Sequence, residues 1–204
     1  MSKNKKVGVM GGTFDPIHYG HLVTAEAART HFNLDKVIFT PTGKPPHKKG
    51  YSVTPAEDRY LMTVLAINSN PYFDISRMEI ERPGLTYTVD TLEQFYNELG
   101  KDVKLYFISG ADAVLDILTW KDVEKVLGYC TFIAATRPGY PVEELNQKLL
   151  QIKQMYGQEV YPMEVTGLDI SSTDIRRRVK EGLSIKYLLP ESVETYIQKS
   201  GLYR

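Results

Sequence analysis

Cysteine is nearly missing. Cys130 is the only one in 204 residues, so no intrachain disulfide can form and no multi-cysteine metal cage can be built. Long apolar runs are missing too: no stretch approaches the roughly 18 apolar residues of a membrane span. The opening Met-Ser-Lys-Asn-Lys-Lys is followed only by Val7 to Met10 before two glycines, too short a core for a signal peptide. The expectation is a cytoplasmic protein with no membrane partner. Charge of one sign is not in excess either, since 25 Lys and Arg balance 25 Asp and Glu. A protein that holds nucleic acid by releasing counterions carries a basic surplus, so nucleic acid is not an expected partner. Repeats, low-complexity tracts and linkers are absent, which points to a single domain over 1–204. A chain of this length buries about 70% of its surface on folding.

Short β-branched or aromatic runs at 7–10, 36–40, 103–108, 131–135 and 159–165 alternate with segments of helical spacing, the pattern of an α/β fold with a mainly parallel sheet. Leu92, Phe95, Tyr96 and Leu99 form one apolar stripe closed by Gly100, which predicts a helix packed on the sheet. Thr54-Pro55-Ala56-Glu57 has the form of a capping box, so a helix is expected from Pro55 to about Asn68. That leaves Pro41 to Val53 as a long loop, either a functional lid or a surface loop. The segment from about 171 to 204 reads as a small helical appendage.

Charge is uneven locally. Residues 1–50 hold eight basic against three acidic side chains, and 174–186 hold five against two. Solvated faces and a basic pocket for a small phosphorylated ligand are both compatible with this.

The chemistry concentrates in Gly11-Gly12-Thr13-Phe14-Asp15-Pro16-Ile17-His18-Tyr19-Gly20-His21, directly after the first predicted strand. Glycines at a strand end let backbone approach a ligand, and the helix that follows offers unpaired N–H groups to an anion. The stretch is neither a P-loop nor G-x-G-x-x-G. His18 and His21, three apart, can face one ligand across a turn. Zinc would need a third ligand, and none stands at ligand spacing, so no protein-bound metal is expected. Near the other end, Ile170-Ser171-Ser172-Thr173-Asp174-Ile175-Arg176 reads as a capped helix start. It serves either as a plain cap before a solvated basic face or as a second anion site with Arg176 as forked donor.

The pairing of G-G-T-F-D-P-x-H-x-G-H with I-S-S-T-x-I-R resembles the signatures of the nucleotidyltransferase superfamily of Rossmann-like adenylyltransferases. Pro45-Pro46-His47-Lys48, Thr86 to Leu92, Ser109-Gly110-Ala111-Asp112, Trp120, Arg137-Pro138-Gly139-Tyr140 and Tyr187-Leu188-Leu189-Pro190 are similar to the bacterial nicotinate-nucleotide adenylyltransferases over nearly the whole chain. The resemblance implies a doubly wound, Rossmann-like sheet and transfer of AMP from ATP to nicotinate mononucleotide. It implies that His18, His21, Lys48 and Arg176 are catalytic. ATP would be held by Gly11, Gly12, Thr13, Phe14, His18, His21, Gly110, Asp112, Ile170, Ser172 and Arg176. Within that set, Asp112 would accept from a ribose hydroxyl unless it merely caps a helix. Nicotinate mononucleotide would meet Lys48, Thr88, Trp120, Lys121 and Arg137, with Trp120 stacked on the ring. Mg²⁺ would arrive on the ATP phosphates with no fixed protein cage, and the chain would be a monomer or homodimer. The sequence departs from many relatives at Thr42-Gly43-Lys44, where they carry Asn. The alternatives are a sister enzyme acting on nicotinamide mononucleotide or phosphopantetheine, a nucleotide-binding regulator without turnover, and a metal hydrolase.

Overall fold

The computed structural model describes residues 5–44 and 53–204. Strands β1 (Lys6–Gly12), β2 (Lys36–Pro41), β3 (Phe73–Ile75), β4 (Lys104–Gly110), β5 (Thr131–Thr136) and β6 (Val160–Glu164) form one sheet in the order β3-β2-β1-β4-β5-β6. Every neighbouring pair is parallel. The inner strands are apolar along their length because helices cover both faces: Val7, Val9, Val37, Phe39, Ile108, Phe132 and Ile133 are all buried. β3 was not expected from sequence, because three residues at a sheet edge give no periodic signal.

Helices α1 (Tyr19–Phe32), α2 (Ala56–Ile67), α8 (Ser172–Lys180) and α9 (Glu191–Ser200) lie on one face, with Ala25, Ala28, Met62, Ile175, Val193 and Ile197 in a shared core. On the other face, α4 (Thr88–Leu99), α5 (Ala111–Leu115), α6 (Val123–Tyr129) and α7 (Val142–Tyr156) pack Leu92, Phe95, Val114, Val126, Leu145 and Ile152 on the sheet. The short α3 (Met78–Glu81) follows β3. The predicted stripe of α4 is the buried one, and Gly100 ends it at φ 85°, a conformation that glycine adopts without steric cost. The C-terminal helices form as expected and are embedded in the core rather than hung from it.

The expected box at Thr54 does not form. α2 starts at Ala56 with Pro55 at the cap and no side-chain cap bond. The Thr54 backbone is used elsewhere: its carbonyl accepts from Arg59 Nε at 2.9 Å and its N–H donates to Asp15 at 3.4 Å. Of the Pro41–Val53 loop expected as a lid or surface loop, residues 45–52, Lys48 among them, lie outside the described residues. Among the described residues no helix is long and apolar enough to cross a membrane.

Candidate active site

The strand order reverses direction between β1 and β4, and ligands of open α/β sheets bind beyond the carboxyl ends of the strands at such a point. Gly11 and Gly12 end β1 there, and Ser109 and Gly110 end β4. A cavity of about 400 Å³ opens at this junction. It is lined by Gly11, Gly12 and Thr13 of the glycine turn and by Thr88, Trp120 and Lys121. A side chain is excluded more strictly at Gly12 than at Gly11. A Cβ on Gly12 would stand 2.8 Å from the Phe14 ring, and one on Gly11 would stand 3.2 Å from Phe107.

The first helix end is built around the two histidines. His18 is the N-cap of α1 in extended conformation, and its N–H donates to His21 Nδ1 at 3.2 Å. The rings stack with centroids 3.8 Å apart. Gly20 permits this, since a Cβ there would lie 3.0 Å from the His18 ring. Burial, reinforced by the Arg137 charge, lowers the His18 pKa to about 4. Burial, and then His18, holds His21 well below the ordinary imidazole range. Both are neutral at pH 7. The His21 proton therefore sits on Nε2, an assignment that follows from the hydrogen bond to Nδ1. Among the described residues, the buried His18 Nδ1 has no partner at full hydrogen-bond geometry, although the His18 side chain faces the first-turn His21 N–H in the manner of a capping box.

The second helix end meets the first. Ser172 Oγ donates to the Pro16 carbonyl at 2.8 Å, and Arg176 Nη1 donates to the Asp15 carbonyl at 2.6 Å. Ser171, not Ser172, caps α8, its side chain accepting from Asp174 N–H at 3.1 Å. The two amino-terminal ends, more than 150 residues apart in the chain, thus open on one space. The Ser172 hydroxyl is committed to Pro16, which leaves its first-turn backbone N–H as the group to offer an anion. Ile170 is half-buried, and its carbonyl lies 3.7 Å from where a Gly20 Cβ would be.

On the ring wall, Trp120 is half-buried and meets Phe107 and Phe132 edge-on, at 6.2 and 6.1 Å between centroids. Two aromatic neighbours at its back fix the indole plane, as a stacking platform requires. Thr88 is the first residue of α4. Lys121 Nζ lies 3.7 Å from Asp90 and 4.6 Å from the Tyr87 ring centre. Gly110 caps α5, so Asp112 is not the cap; its carboxylate accepts from Tyr140 Oη at 3.1 Å.

Two expected residues stand apart. Phe14 has φ 49° and a buried side chain, edge-on to His21 at 5.1 Å, so its ring supports His21 from the core and only its backbone faces the turn. Arg137 is not on the wall with Trp120; it pairs with exposed Asp169 at 2.7 Å and acts on His18 electrostatically.

Sequence reading passed over three buried polar residues. The Asp15 carboxylate, 2% exposed, accepts from Tyr203 Oη at 2.7 Å. Glu79 lines the cavity and accepts from Thr91 Oγ1 at 2.8 Å, with burial raising its pKa. Arg59 is 1% exposed. Asp15 lies inside the quoted motif, but its partners are remote in sequence, and Glu79 and Arg59 carry no local signal. Among the described residues, no group of three or more His, Cys, Asp and Glu is placed to hold a metal ion.

A cytidylyltransferase-like family model matches residues 9–178. A probable nicotinate-nucleotide adenylyltransferase of Moorella thermoacetica is 61% identical over 199 residues, covering 98% of this chain and 92% of that protein. One of the same name from Thermoanaerobacter is 56% identical over 204 residues, covering 100% and 97%. The structure of a Plasmodium falciparum nicotinic acid mononucleotide adenylyltransferase complexed with NaAD superposes with a TM-score of 0.78 at 23% identity, covering 98% of this chain and 97% of that one; this likeness establishes the fold. The glycine turn and Trp120 line one crevice, the stacked histidines open the helix that follows the turn, and the chain belongs to the cytidylyltransferase-like family and, within it, to the nicotinate-nucleotide adenylyltransferases.

Proposed function

We propose that this protein transfers AMP from ATP to nicotinate mononucleotide, releasing pyrophosphate and forming deamido-NAD, as a step in NAD biosynthesis. The observation that carries the reading is the convergence of α1 and α8 on one space beside the cavity faced by Trp120. A polyphosphate fits between two helix amino-termini, and a flat ring fits the indole.

In the reaction, a phosphate oxygen of the mononucleotide attacks the α-phosphorus of ATP. One P–O bond forms, and the bond from the α-phosphorus to the bridging oxygen breaks, its electron pair leaving with pyrophosphate. The attacking oxygen is already anionic at neutral pH, so no general base is required. The protein's work is alignment and stabilisation of charge on the leaving group. We assign His21 Nε2–H and His18 as neutral donors in a desolvated cleft, and Arg176 and Lys48 as the cationic contacts. Gly11, Gly12, Thr13 and the Phe14 backbone shape the turn, with Gly110, Asp112, Ile170 and Ser172 completing the ATP site and Asp112 receiving a ribose hydroxyl. Trp120 stacks on the nicotinate ring, while backbone N–H groups at Thr88 and Lys121 meet its carboxylate. Such donors favour a carboxylate over a carboxamide, which turns a donor of its own toward them. The position of Arg137 beside His18 and Asp169 supports a role near the ATP phosphates over one at the ring.

Mg²⁺ delivered with ATP would supply charge neutralisation on the phosphates, while Arg176 and Lys48 would be this chain's own cationic contacts. We propose further that residues 1–204 act as one nucleotidyltransferase domain, a monomer or homodimer, in the cytoplasm, on free nucleotides rather than nucleic acid. Incubation with ATP, Mg²⁺ and either nicotinate or nicotinamide mononucleotide, with products identified by mass, tests the reading. Faster formation of the nicotinate dinucleotide is expected; preference for the amide would overturn the substrate assignment.

A further inference from the structure

Arg59 lies in the first turn of α2, where Glu57 and Asp58 suit the helix dipole and a cation does not. It is also 1% exposed, and burying a charge is costly unless its donors are satisfied. Helix formation therefore does not account for it. Its guanidinium donates from Nη1 to the Thr13 carbonyl at 2.7 Å, from Nε to the Thr54 carbonyl at 2.9 Å and from Nη2 to the Gly43 carbonyl at 3.2 Å. These acceptors come from three separate stretches. Thr13 belongs to the glycine turn beside the histidines, Gly43 follows β2, and Thr54 precedes α2. Gly43 is itself pinned, since a Cβ there would stand 2.1 Å from the Glu79 carbonyl oxygen. Next to it, Thr42 lines the cavity and donates from its N–H to the Gly12 carbonyl at 2.9 Å.

We propose that Arg59 is a positioning residue for AMP transfer. Its planar fork ties the end of the glycine turn at Thr13 to Gly43 after β2 and Thr54 before α2, and so fixes the turn, and with it the phosphates, relative to the rest of the cavity. The inference rests on the adenylyl-transfer reading. Lys in its place keeps the charge but presents one compact head, which cannot satisfy three diverging carbonyls. Displacing a reacting group by about 1 Å costs on the order of 100-fold in rate, whereas the Trp120 wall makes none of the three bonds and should still bind the ring.

The test compares Arg59→Lys and Arg59→Met with the unsubstituted protein, using far-UV circular dichroism for folding and quenching of Trp120, the sole tryptophan, for binding of nicotinate mononucleotide. Arg59→Lys is expected to stay folded and to quench with an unchanged midpoint. Its kcat per binding-competent site should fall about 10- to 100-fold, and that of Arg59→Met further, with KM for the mononucleotide within about threefold. A kcat within twofold of the unsubstituted protein in either folded variant would overturn the proposal. So would failure of both to fold, which would make Arg59 a residue of the core alone. If the unsubstituted protein itself made no dinucleotide, the activity reading would fall rather than this one.

Discussion

The two helix ends that meet over the glycine turn are built on opposite principles. The start of α1 carries no formal charge: buried His18 and partly buried His21 stack, share a hydrogen bond and are held neutral by desolvation. The start of α8 is half-exposed and ionic. Asp174 pairs with Arg177 at 2.6 Å and Arg178 at 2.7 Å, while Arg176 reaches across to the Asp15 carbonyl. Pre-positioned neutral donors in a desolvated cleft need no reorganisation at the moment of reaction and act on charge as it develops. Cations at a wet edge attract the polyanion before reaction begins. The first end is suited to the transition state and the second to capture.

The largest test of this contrast is His21→Ala. Loss of one donor to a developing oxyanion costs about 100- to 1000-fold in kcat, while ATP affinity should change by only a few-fold. Equal losses in kcat and in ATP binding, measured by steady-state kinetics and calorimetry, would put His21 with the capture groups and dissolve the contrast.

Next in size is a pH effect on stability. An unfolded histidine protonates near 6.5 and His18 in the fold only near 4, so between those values the unfolded chain binds more protons. The stability contributed by neutral His18 is full above about pH 6.5 and is lost as pH falls towards 4, on the order of 3 kcal/mol. Urea unfolding at pH 7 and pH 4.5 should show a smaller acid loss in His18→Gln than in the unsubstituted protein; equal losses would mean that the first end is not held neutral.

Ser172→Ala removes the hydroxyl that bridges to Pro16 and should cost about 1 kcal/mol in urea unfolding, with ATP KM rising a few-fold as the two ends separate. The smallest effect sharpens the comparison from the other side. Arg177 is exposed, and its ion pairs with Asp174 and Glu181 lie along the surface of α8. Arg177→Ala should leave kcat and the melting temperature unchanged within error, because screened surface pairs contribute little. A large fall in ATP affinity would extend the capture surface beyond Arg176.

Much of the fold was legible because its signals are local. The apolar runs of β1, β2, β4, β5 and β6 and the stripe closed by Gly100 each lie within a dozen residues. β3 escaped because three edge residues carry no period, and the Thr54 cap misled because Asp15 claims the Thr54 N–H that the box would give to Glu57. Within the site, the glycine turn and the histidine pair announced themselves by residue type and spacing, whereas Trp120 was singled out by the family resemblance, a lone tryptophan being as much a core residue by type. Glu79 and Arg59 did not, since a buried ion is recognisable only by partners that lie far along the chain. Phe14 and Arg137 stood in the right motifs, but a positive φ and a pairing with Asp169 turned their side chains elsewhere.

Sequence alone determined the alternating α/β order, the glycine turn at the end of β1 and the chemical types gathered for phosphate and ring, because backbone freedom, periodicity and residue chemistry are properties of short stretches. Tertiary structure alone decided that α1 and α8 share one space, that His18 and His21 are neutral, and that Ser172 spends its hydroxyl on Pro16. Burial and long-range hydrogen bonds set those properties, and neither exists until the chain has closed on itself.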